Sequence, residues 1–128
     1  MAEFTDFLEN KIIDHLLRNQ AYTPPATVYL ALFTTATSDA GGGTEVSGGA
    51  YARQAVTLAA ASGGASSNTA EITFPQATVD WGTVTHCALF DQLSGGNMLM
   101  HTILDASKTV NNGDTFKMNI GDLDITVD

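Results

Sequence analysis

Cysteine and positive charge are the scarcest features of this sequence. Cys87 is the single cysteine, so neither a disulfide nor a cysteine-based zinc site can close within one chain. Five Lys/Arg stand against fourteen Asp/Glu, a formal net charge of −9. The five, Lys11, Arg18, Arg53, Lys108 and Lys117, are scattered, whereas phosphate backbones are bound by clustered basic residues. The charge balance therefore argues against nucleic acid as a partner, and against anionic membrane surfaces. Apolar runs long enough to span a bilayer are missing too. The opening MAEFTDFLENK is acidic where a secretory signal would be basic, and it lacks a continuous apolar stretch, so folding in a cytoplasm is expected. Charged residues are only 15% of the chain, which leaves much neutral surface of the kind that often meets other proteins.

What is present suffices for one folded domain. Hydrophobic residues are 44% of 128, and a chain of this length buries roughly two-thirds of its unfolded surface. Phe4, Phe7, Leu8, Ile12, Ile13, Leu16 and Leu17 recur at spacings of three and four, which predicts an amphipathic helix over residues 4–18. Pro24 and Pro25 close it off. The apolar period then changes to two. Residues 27–34, 51–58, 71–74, 83–90, 97–104 and 115–120, and the alternation of Leu123, Ile125 and Val127, predict about seven short strands. Gly/Ser/Asn turns separate them, and no helical periodicity intervenes. The expected fold is mainly β: one antiparallel β-sandwich or barrel-like domain over residues 21–128, preceded by an N-terminal helical segment over residues 1–20. Two stretches read as flexible connections between strands, residues 38–49 and 59–68, and there is no internal repeat.

The first of these, SDAGGG followed by TEVSGGAYARQ, holds five glycines between Gly41 and Gly49. A phosphate cradle needs a lysine and a helix start behind the glycines. This loop has neither, and Asp39 and Glu45 would repel phosphate. It reads instead as an adaptable arm ordered mainly by a neighbouring subunit. Cys87 with His86 or His101 is a conceivable nucleophile–base pair, but consecutive strand residues point to opposite faces, so no catalytic residues are assigned. Asp122, Asp124 and Asp128 share one face of a strand and are the weak candidates for a metal. A solvated acidic face is the simpler reading, and no cofactor is expected. Trp81 is an interface anchor or glycan platform in one reading and a core residue in the more usual one.

Residues 4–17, 23–36, 42–54, 72–75, 81–86, 88–91 and 107–115 together resemble a family of small tailed-bacteriophage virion structural proteins, commonly labelled tail fibre proteins. The resemblance covers nearly the whole chain and implies a virion component with no catalytic residue. An acidic protein of 13.4 kDa without a repetitive shaft fits the size of a capsid decoration, or cement, protein. The expectation is a homo-oligomer, a trimer in preference, bound to the major capsid protein or other virion subunits. A tail-tip, baseplate or fibre-adaptor component and a host-glycan binding module are the alternatives. Phe4, Phe7, Leu8, Gly42, Gly43, Thr44, Glu45, Val46, Tyr51 and Trp81 are the expected contact residues.

Overall fold

The structure, a computed structural model, describes residues 2–127. Nine strands and one helix follow in the order β1 (Glu3–Phe4), α1 (Asp6–Leu17), β2 (Val28–Phe33), β3 (Gln54–Val56), β4 (Ala65–Ser67), β5 (Ile72–Thr73), β6 (Gly82–Phe90), β7 (Met98–Val110), β8 (Lys117–Met118) and β9 (Asp124–Thr126). The main sheet is antiparallel, in the order β1-β7-β6-β2-β3, and two ribbons, β4-β9 and β5-β8, complete the β structure. The expected mainly β antiparallel fold with an N-terminal helix is therefore the one formed. β6 and β7 are its spine, joined by the tight Asp91–Asn97 turn. There the Asp91 carboxylate accepts from the Asn97 backbone N–H at 2.7 Å.

β2 explains its own burial. In VYLALF, Leu30 and Leu32 face one side and Ala31 and Phe33 the other, and all four are buried, as befits a strand with neighbours on both edges and cover on both faces. The larger core lies on the Leu30/Leu32 side. It gathers Val84, Cys87 and Leu89 from β6 with Ile72, Phe74, Phe116, Leu123 and Ile125 from the ribbon segments, so the ribbons close this face of the sheet. The smaller core, Ala31, Phe33, Ala88, Phe90 and Met98, lies on the opposite face.

Three expectations need correction. The helix starts at Asp6, not at residue 4. Phe4 pairs with Met100 as part of β1, and the buried Thr5 caps the helix, accepting from Leu8 N–H at 3.4 Å while its hydroxyl donates to the Met98 carbonyl at 2.6 Å. The helix ends at Leu17, well before the prolines. Asn19 takes φ 55° there, a left-handed conformation that asparagine tolerates at helix ends. The stretch 59–68 is no simple flexible connection. Its Ala65–Ser67 forms β4 against β9, and Asn68 beyond it is buried. The Asn68 amide donates to the carbonyls of Ala70 (2.8 Å) and Asn119 (3.0 Å) and accepts from Leu123 N–H (3.0 Å).

Candidate functional site

The glycine-rich loop is ordered by its own chain. β2 continues into it as an irregular hairpin: Phe33 bridges Glu45, Thr34 N–H donates to the Thr44 carbonyl, and Val46 N–H donates to the Leu32 carbonyl. The Glu45 carboxylate is the anchor. It accepts both Nε and Nη2 of Arg53, at 2.9 and 2.8 Å, and the Tyr51 hydroxyl at 2.6 Å. This is the paired, planar geometry that arginine offers and lysine cannot. Arg53 Nη1 also donates to the carbonyls of Gln92 (2.9 Å) and Gly95 (2.8 Å), and the guanidinium lies 3.8 Å from the centre of the Phe90 ring. One buried arginine thus ties the loop to the β6–β7 turn and covers the smaller core. Burial pushes the Glu45 carboxyl upward, but the bonds from Arg53 and Tyr51 and the Arg53 charge outweigh it and hold the group below its ordinary range. Burial and the bond to Glu45 raise the Tyr51 hydroxyl far above the usual tyrosine range.

Two glycines in the loop are there for space. A Cβ on Gly43, at φ 102°, would sit 3.0 Å from the Phe33 ring. One on Gly49, at φ 59°, would collide with the Val79 side chain and lie 3.0 Å from Trp81 Nε1, which donates to the Gly49 carbonyl at 3.0 Å. The adaptable arm waiting for a neighbour is thereby corrected: pairing with β2, the Arg53–Glu45 pair and the Trp81 bond hold it. Of the expected contact residues, Val46 and Trp81 are buried within the chain, so neither offers side-chain surface to a partner, and Trp81 shows no open ring face for a sugar. Glu45 and Tyr51 serve the brace. Phe4, Phe7 and Leu8 are half-buried against the core, while Gly42, Gly43 and Thr44 are exposed.

The catalytic candidates separate. Cys87 pairs with Thr102 and His101 with Ala88, which puts the thiol and the imidazole on opposite faces of the sheet. Burial pushes the Cys87 thiol up to about 12, the state of an inert core thiol. Asp122 accepts the Asn119 backbone N–H in a turn and Asp124 lies exposed in β9, while Asp128 lies outside the described residues. His101 keeps company the sequence did not announce. Its Nε2 lies 2.9 Å from Asp39 Oδ1 and 4.0 Å from Glu3 Oε2, and its Nδ1 lies 2.9 Å from Thr37 Oγ1. Asp39 stands 62 positions away in sequence. No local motif links these residues; β1–β7 pairing and the fold of the loop bring them together.

Among the described residues, the two most exposed large apolar side chains are on α1. Leu16 and Leu17 are 70% and 80% exposed, ahead of Ile103 and Ile120 elsewhere, Ile13 a turn earlier is 50% exposed, and the helix holds no buried residue. Its N-terminal turn packs on β7, with Phe7 edge-on to Tyr22 at 6.4 Å, while its C-terminal half carries the stripe outward. The expected apolar face is real but only half used by this chain. No helix among the described residues is long and apolar enough to cross a membrane.

Fold and surface define a small, mainly β protein whose polar side chains brace its own loops and whose helix keeps an apolar face outward. The chain matches, over residues 3–126, the family model described as Podophage GP4 fiber I protein gp80. It belongs to that family, which makes it a bacteriophage virion structural protein of the fibre type. Comparison with curated proteins gives no match.

Proposed function

We propose that this chain is a fibre-side component of the virion that acts by subunit contact and carries no catalytic activity of its own. The observation that supports this reading is the outward apolar face of α1, Ile13, Leu16 and Leu17, on a chain of a fibre-type family. The two leucines of the last turn, with Ile13 one turn earlier, gain by burial against another subunit, roughly 1.5–3 kcal/mol for each side chain fully covered. The partner is another virion subunit or a further copy of the chain, with a trimer as the working oligomer. A contact of standard size, about 1,600 Å² in total, would hold without chemistry. The capsid-decoration reading rests on size, acidity and the lack of a repetitive shaft, and the family description favours the fibre. Incorporation is the test. Phage carrying Leu16→Asp with Leu17→Asp should assemble virions depleted of this protein although the purified variant folds normally. Unchanged incorporation would sink the helix-face contact.

A further inference from the structure

Glu3, Asp39 and His101 meet on the face of the main sheet opposite the larger core, where β1, the glycine-rich loop and β7 come together. Among the described residues, their donor atoms form the group of three His/Cys/Asp/Glu side chains close enough to share an ion, all within 4.8 Å of one another. We propose that this cluster is a binding site for a zinc-type divalent cation, with His101 Nε2, Asp39 Oδ1 and Glu3 Oε2 as ligands.

Four features carry the assignment. Ligands of a tetrahedral zinc at about 2.0–2.1 Å lie about 3.3 Å apart; the two separations from His101 Nε2, 2.9 Å to Asp39 and 4.0 Å to Glu3, bracket that spacing, so small side-chain rotations would admit the ion. The imidazole is placed before any metal arrives: His101 is buried, and Thr37 Oγ1 lies against Nδ1 at 2.9 Å. A partner on the second ring nitrogen is the arrangement that orients metal-bound histidines. With the metal bound, the ring carries its proton on Nδ1 and donates it to Thr37, leaving Nε2 free to coordinate. The two carboxylates are exposed and line an open hollow of about 330 Å³ with Glu9, which gives an ion access from the carboxylate side; the buried His101 is not part of that lining. Finally, one imidazole nitrogen with two carboxylates suits zinc and its neighbours, whereas calcium demands six to eight oxygens. A bound ion would link three segments of the chain, clamping the N-terminus and the loop to β7.

The site is tested on the full chain stripped with chelator, by calorimetric titration with Zn²⁺ and by visible absorption with Co²⁺. The expected result is one equivalent bound, with cobalt bands of a four- or five-coordinate site. A hundredfold excess over Kd should raise Tm by about 10 °C. Glu3→Gln and Asp39→Asn should each weaken binding at least tenfold, and His101→Gln at least a hundredfold, with His15→Gln and His86→Gln unchanged. Glu3 is exposed, so its variant folds and reports on coordination alone. Absent binding at millimolar metal, binding that survives His101→Gln, binding lost in His86→Gln or His15→Gln, or binding indifferent to Glu3→Gln would overturn the assignment.

Discussion

Gly49 and Glu45 do different work on the same loop, and each makes a prediction. Gly49 takes a left-handed conformation where a Cβ would strike Val79. Gly49→Ala should therefore cost about 2–3 kcal/mol in chemical denaturation, strain and overpacking together. Gly48, also at positive φ but with open space around it, should cost about 1 kcal/mol as alanine. Glu45 sets a pH dependence. Its folded pKa is depressed below that of an ordinary glutamate, so its contribution to stability is fully present above the unfolded pKa and is lost as pH falls through the folded pKa. Denaturation midpoints measured from neutral to strongly acid pH should fall on that acid side, and Glu45→Gln should flatten that part of the profile. An unchanged acid limb in the variant would show that Glu45 is not the group responsible. The Glu45–Arg53 pair is not legible in the sequence, which marks Glu45 as a partner contact, because two charges eight positions apart do not show that they face each other. Asp39 and Glu3 beside His101 are not legible either, because nothing in a linear sequence marks contacts made by a loop folding back over a sheet.

Among the elements, the long strands announce themselves and the short ones do not. β2 and β6 carry β-branched and aromatic runs bounded by turn residues, and their expected ranges match the strands closely; the first half of β7, Met98–Leu104, is a Met/Leu/Ile run after a turn and is legible as well. The last part of β7, Asp105–Val110, is exposed up to Val110 and pairs with the start of β6. It has no apolar alternation to betray it. β4 is Ala-Ser-Ser inside a glycine-rich stretch and becomes a strand because β9 and the Asn68 amide hold it. Asn68→Ala should cost about 3 kcal/mol, because it removes three hydrogen bonds and strands buried backbone groups. A loss under 1 kcal/mol in urea denaturation would contradict that role. The helix shows the opposite failure. Periodicity located its apolar stripe, but periodicity alone does not say how much of it the chain itself covers. Leu16→Asp with Leu17→Asp should change the stability of the isolated protein by no more than about 0.5 kcal/mol, as exposed positions do. Phe7→Ala should cost about 2 kcal/mol, since Phe7 packs on the core.

For the whole molecule, the sequence and the fold agree on class: a mainly β chain with an acidic surface and a helix set against one edge of its sheet. Acidity suits a protein that must stay soluble before assembly and bind one kind of surface afterwards. The chain's fibre-type family and its outward helix face together make the virion fibre the proposed site of action. The most direct test is quantitative mass spectrometry of purified virions separated into heads and tails. The expected result is this protein with the tail and fibre fraction, in a copy number that is a small multiple of the fibre number. Its presence on heads in hundreds of copies, or its absence from purified virions, would contradict the fibre reading.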